Sequence, residues 1–299
     1  MNNLNKEYND RIYNEIYLKI DRKYTEIFLC GGASTNENKS YRDLLKETII
    51  EKSSGKIRVL YPENLFMEIL VTKKDSNLLE LEKYLAKHSD LICIVCESPG
   101  SFVELGVFST SLELKDKVLV FVNKQYEKKR SFINMGPIKH LRGISGPNSV
   151  YYYNDDMEET YKSLIKIIKS LKKSTSKELN TIINISYFLQ ILLFFKKRVE
   201  FKEILEYIEY KCNENIDTII VNSALKLMFS ENILLKDGDK RYSLTKKGYS
   251  TLKNDLRNIG VQNSKINELR MEYLKMEYYP RHGTKNNDLS ECVSQTTLR

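Results

Sequence analysis

Between residues 25 and 153 short apolar runs alternate with amphipathic stretches, and no other feature limits the fold of this chain as tightly. TEIFLC (25–30), KIRVLYP (56–62), DLICIVC (90–96), KVLVFVN (117–123) and SVYYY (149–153) read as strands. YRDLLKETIIEK, ENLFMEIL, LLELEKYLAKH and FVELGVFSTSLEL read as the helical segments between them. Such alternation of strand and helix predicts a mostly parallel sheet covered by helices on both faces, with DLICIVC its most buried strand. The fold class is therefore α/β, a mostly parallel sheet of flavodoxin or Rossmann type. Ligands of such a sheet sit at the carboxyl ends of the strands, near the point where the strand order reverses.

The amphipathic stretch 157–173 closes this unit, and STSKELN then breaks the pattern. Residues 1–173 are read as one domain and 176–260 as a second, leaving 261–299 as a helix and a polar tail. In 176–260 three helical stretches precede ILLKDGDKRYSLTKKG, two strand-like runs joined through Asp237-Gly238. That order predicts a winged helix-turn-helix, with helix 217–231 facing nucleic acid. Asn222 and Lys226 are its candidate contacts, and Lys236, Lys240 and Arg241 those of the wing. The excess of basic over acidic residues in this region is small, so it suits docking on a ribonucleoprotein better than autonomous operator binding.

Several classes are disfavoured. No apolar run reaches the roughly 20 residues of a membrane span, and the polar start lacks the pattern of a secretory signal. A cytoplasmic, non-membrane protein is expected. Five cysteines at 30, 93, 96, 212 and 292 form no disulfide framework. Cys93 and Cys96 make a CxxC, but inside an apolar strand, where core packing is the expected role. The three histidines have no metal-ligand spacing, so no metal is expected. A net charge of +8 accompanies lysine spread along the whole chain and decides nothing alone.

The chemistry is expected at ESPGSFVELG (97–106). GGAS at 31–34 and SPGS at 98–101 are strand-to-helix turns that a parallel sheet would place side by side. Gly31, Gly32 and Gly100 allow close backbone approach, helix-initial amides favour anions, and Ser34, Ser98 and Ser101 offer hydroxyls, so a phosphate is the natural occupant. Glu104 has two readings. Ser101-x-x-Glu104 fits a capping box; alternatively Glu104 is a carboxylate that attacks or stabilises the anomeric carbon of a ribosyl group. Glu97 ends the strand as a ribose-hydroxyl contact or a solvated edge residue. Lys129 and Arg130 are candidate phosphate contacts, and Asn134 a contact to a ribose hydroxyl or base edge, with a solvated basic loop as the alternative.

FLCGG (28–32), YPENLF (61–66), ESPGSFVELG and KRSFINMGP (129–137), in this order and spacing, resemble bacterial retron effector proteins. These pair a nucleoside deoxyribosyltransferase-like domain with a winged helix. The resemblance implies that Glu104 is the nucleophile attacking the sugar C1′. Where enzymes acting on free nucleosides keep an acidic residue for the 5′-hydroxyl, this chain has Ser98-Pro99-Gly100-Ser101, a departure that suits a phosphorylated substrate. It also implies cleavage of NAD as substrate rather than cofactor, a homo-oligomeric active form, and restraint by the retron reverse transcriptase with its RNA-linked multicopy single-stranded DNA (msDNA). Two other readings are a non-catalytic nucleotide sensor controlling a winged-helix DNA-binding module, and a deoxyribosyltransferase of base salvage, which the missing acidic residue opposes.

Overall fold

The computed structural model describes residues 3–21, 24–54, 56–61, 63, 78–170, 179, 181–213, 215–216 and 218–278. The helix expected over ENLFMEIL beyond Glu63, all of STSKELN but Leu179, Cys292 and the polar tail lie outside the described residues.

The apolar runs become β1 (Thr25–Cys30), β2 (Ile57–Leu60), β3 (Leu91–Val95), β4 (Val118–Asn123) and β5 (Val150–Tyr153). They form one sheet in the order β2-β1-β3-β4-β5, every pairing parallel. The chain steps outward from β1 to β2 and then returns to the other side of β1 for β3. The reversal therefore falls between β1 and β3, so the turns after Cys30 and after Val95 are neighbours.

Period-two alternation divides the strands between two cores. Ile27, Leu29, Leu91, Cys93, Val95, Leu119 and Phe121 pack one face against Leu45 and Ile49 of the helix Tyr41–Lys52 and Leu164 of the helix Met157–Ser170. Phe28, Cys30, Ile92, Ile94, Val118, Val120 and Val122 line the other face with Leu105 and Phe108 of the helix Pro99–Thr110. Cys93 and Cys96 belong to opposite cores and are free. Burial pushes both thiols up, Cys96 to about 12, as packing residues and not a redox pair would have it.

In chain order the helices are α1 (Asn3–Ile12, continued through a wide turn Tyr13–Tyr17 into Leu18–Asp21), α2 (Tyr41–Lys52), α3 (Leu78–His88), α4 (Pro99–Thr110), α5 (Lys139–Ser145), α6 (Met157–Ser170), α7 (Ile182–Lys196), α8 (Phe201–Cys212), α9 (Thr218–Ser230), α10 (Lys246–Asn258) and α11 (Asn263–Tyr278). After α7 a short strand β6 (Val199–Glu200) pairs with β8 (Arg241–Leu244), which also pairs with β7 (Leu234–Lys236), both antiparallel. Three helices and a hairpin thus follow in the expected order, with β6 added.

The α4-side core runs on through α1 into α7, which is apolar on every side and almost wholly buried. Sequence reading assigned no helix to the polar N-terminus. Its polar groups are used in packing: Tyr8 donates to the Leu269 carbonyl at 2.8 Å, Arg11 pairs with Glu15, Glu268 and Glu272, and Asp10 accepts from Tyr207, Tyr210 and Lys211. Arg58 of β2 lies between the rings of Tyr24 and Tyr187, 4.0 and 3.4 Å from their centres, joining the sheet edge to α7.

Gly248, in the first turn of α10, packs on the backbone of Ile233; a Cβ there would lie 2.5 Å from the Ile233 carbonyl oxygen. Gly248→Ala is expected to destabilise the chain by about 2–4 kcal/mol, because a backbone atom must move. A thermal melt with the midpoint unchanged would contradict this.

Candidate active site

Glu104 is placed by α4, whose start is set by Ser98-Pro99. Ser98 is the N-cap and Pro99, which needs no N–H donor, is the first helical residue. The Ser98 hydroxyl accepts from the Ser101 amide at 3.2 Å, and the Ser101 hydroxyl accepts from the Ser98 amide at 3.1 Å. The capping box is therefore Ser98 with Ser101, and Glu104 stands in the second turn, free of any capping duty. Its Oε2 is buried and has no hydrogen-bond partner. Burial first, then the charges of Glu82 and Glu63, push its pKa up to about 7, against the opposing pull of Cys30 and Arg42. A carboxyl that ionises near neutrality at the switch point of an open sheet has the properties of a nucleophile or acid–base group.

The two turns do lie together, but the expected anion donors are occupied. Glu97 accepts from the Gly32 amide at 3.2 Å, the Arg42 amide at 3.0 Å and the Tyr41 amide at 2.7 Å. A carboxylate of the protein itself thus sits at the N-terminus of α2, where a bound anion would otherwise go. Ser34 donates through both amide and hydroxyl to Asp43. Ser101 is fully buried, its hydroxyl donating to the Ser98 carbonyl at 2.8 Å. Gly100 is exposed beside it. Gly31 is needed for close approach, since a Cβ there would fall 2.9 Å from Cβ of Arg42.

Arg42, Tyr61, Glu63 and Glu82 were assigned no role from sequence, although YPENLF contains two of them. Arg42 is 3% exposed, donates to the Gly31 carbonyl at 3.2 Å and to Glu63 at 2.6 Å, and stacks on Tyr61. Tyr61 donates to Asp43. Burial raises the Asp43 pKa, but hydrogen bonds from Ser34 and Tyr61 outweigh it and hold the carboxyl well below the usual range. No spacing marks these residues; the β2-β1-β3 order brings them together.

On the loop after β4, Arg130 is exposed. The Asn134 amide group donates to the carbonyls of Tyr126 and Lys129, both at 2.7 Å, so it braces its own loop. Phe132 and Met135 on the same loop are exposed. In the C-terminal part Asn222 is exposed and Lys226 half-buried on α9. Lys236 and Lys240 are exposed, Lys236 lying over the Tyr242 ring, and Arg241 pairs with Glu200 at 3.1 Å. Among the described residues no group of three or more His, Cys, Asp or Glu is arranged to hold a metal, and no helix is long and apolar enough to cross a membrane.

Two Escherichia coli proteins are similar to this chain. The "Retron Ec86 putative ribosyltransferase/DNA-binding protein" is 29% identical over 279 residues, 88% of each chain. The "Retron Ec73 putative ribosyltransferase/DNA-binding protein" is 37% identical over 117 residues, covering 38% of this chain and 37% of its own. The family described as STM3845 retron effector protein matches residues 38–236, a span that contains Arg42, Glu97 and Glu104. With two thirds of its length matched, from α2 through β7, the chain belongs to the STM3845 retron effector protein family.

Proposed function

We propose that this retron effector cleaves the N-glycosidic bond of a nucleotide, with NAD as the first substrate and Glu104 as the nucleophile. The observation that carries this reading is the buried, unpartnered Oε2 of Glu104 at the β1–β3 switch point, on a carboxyl poised to ionise near neutrality. Glu104 attacks C1′ of the ribosyl group. The C1′–N bond breaks with its electron pair passing to the pyridinium nitrogen, so nicotinamide leaves neutral and needs no general acid. Water then adds to C1′ and releases a proton, freeing ADP-ribose and the carboxylate. Glu63 and Glu82 near Glu104 favour a cationic base over a neutral one. The names of both relatives couple ribosyl transfer to DNA binding.

The C-terminal three helices and hairpin are read as a winged helix presenting α9 and the 236–241 turn to a nucleic acid. Membership of a retron effector family supports as partner the reverse transcriptase with its msDNA, which would restrain a cytoplasmic homo-oligomer of this chain. Incubation of the purified protein with NAD and with deoxynucleotides, followed by chromatography of the released bases, tests the activity. Nicotinamide release is expected. Absence of base release from every nucleotide would leave the non-catalytic sensor reading in its place.

A further inference from the structure

Arg42 carries a guanidinium whose side chain is 4% exposed, at the carboxyl edge of the sheet. Burying such a charge is costly unless its N–H groups find acceptors. Nη1 has two, the Gly31 carbonyl and Glu63, and the flat face lies 4.2 Å from the centre of the Tyr61 ring. Nε does not. Asp43 approaches it to 3.5 Å, but not in hydrogen-bond geometry, and the Nε–H is buried without an acceptor.

Glu104 Oε2 is the matching case: a buried acceptor without a donor. Folded chains leave few such atoms, and each one calls for an explanation. Here an orphaned donor and an orphaned acceptor lie on adjoining turns: Arg42 holds the Gly31-Gly32 turn, where a Cβ on Gly32 would come 3.4 Å from Cβ of Ser98, and Ser98 begins the helix that carries Glu104. A ligand group able to accept from one and donate to the other is a hydroxyl. A phosphate fits this wall poorly, because Glu63 and Asp43 already balance the guanidinium and Glu97 holds the adjoining amides.

We propose that Arg42 is a substrate-contacting residue whose Nε–H donates to a hydroxyl of the ribosyl group that Glu104 attacks. This rests on the ribosyl reading above, and the identity of the leaving base plays no part in it. Arg42 also ties the Gly31 turn to Glu63, so a structural role must be separated from contact with ligand. Lysine keeps the charge but lacks the planar fork; methionine keeps only the length.

D-ribose 5-phosphate has no glycosidic bond to lose, so it serves as the probe. Calorimetric titration into the full chain and into Arg42→Lys and Arg42→Met is expected to show binding weakened at least about tenfold in both variants. Arg42→Lys, which keeps a charge beside Glu63, should melt above Arg42→Met. Undiminished affinity in either variant, or no binding by the unsubstituted chain, overturns the proposal. Should both variants fail to fold, the Arg42 Nε–H resonance of the unsubstituted chain, labelled with nitrogen-15 arginine, decides. It is expected to shift on addition of D-ribose 5-phosphate, and a resonance that stays fixed at saturation rejects the contact. NAD cleavage with sugar binding indifferent to Arg42 would sink this proposal alone. Arg42-dependent sugar binding without base release would sink the hydrolase reading and leave the contact standing.

Discussion

Replacing Glu104 by glutamine is expected to abolish base release while making the protein more stable at mildly alkaline pH. The loss in rate should be at least about a thousandfold, since an amide cannot attack C1′ and the rest of the site cannot substitute for it. The gain in stability follows from where the carboxyl ionises: near 4.5 in the unfolded chain and at about 7 when folded. The folded state therefore holds this proton more tightly than the unfolded one. Stability falls as pH rises through that window, and above it the buried charge removes on the order of 3 kcal/mol. Glutamine has the same shape and never ionises. Denaturant melts of the two proteins should differ most at about pH 8 and converge toward about pH 4.5. The activity of the unsubstituted chain should have the complementary profile, rising with pH through about 7 as the nucleophile ionises. A variant that loses activity and stability together at about pH 8 would instead make Glu104 a structural residue.

The sheet was legible because strand and helix patterns alternate and its three central strands are buried on both faces. TEIFLC, LICIV and VLVFV carry no polar interruption except Glu26 and Thr25 at the end away from the ligand mouth, and the observed strands begin and end within two residues of the runs. Glu104 was legible as a residue just after the third strand. Its freedom from capping was not, since both Ser98-x-x-Ser101 and Ser101-x-x-Glu104 fit helix starts. Pro99 settles the register, because proline is favoured at the first helical position and disfavoured further in. Arg42, Glu63 and Glu82 escaped notice for a different reason. They come from α2, the residues after β2, and α3, and only the crossover from β2 back past β1 brings their charges to bear on one carboxyl. The N-terminal helix does carry a signal, with Tyr8, Ile12, Ile16 and Ile20 at helical spacing and all buried, but polar residues surround it; of these Arg11 and Asp10 are used against α11 and α8.

Glu97, read from the sequence as a ribose contact or a solvated edge residue, instead binds backbone amides, and its substitution should have the opposite signature to that of Glu104. Its two oxygens accept from three backbone amides, two of them at the start of α2 and one in the Gly31-Gly32 turn. The Tyr41 and Arg42 amides are unsatisfied donors of a helix N-terminus, to which a carboxylate is the best partner a protein can supply. Glu97→Ala leaves all three unpaired and is expected to cost roughly 3 kcal/mol. Glu97→Gln should cost less, since one oxygen can still serve the Gly32 and Arg42 amides while its NH2 faces the Tyr41 donor. Activity should fall with stability in both, because the same turn holds Gly31 against Arg42. The vacated amides of Glu97→Ala would then form the anion site that the turn sequences suggested. Sulfate should accordingly raise the melting point of that variant more than that of the unsubstituted chain, whose own carboxylate already fills the place. Equal sulfate responses in the two proteins would mean that Glu97 does not occupy an anion site at all.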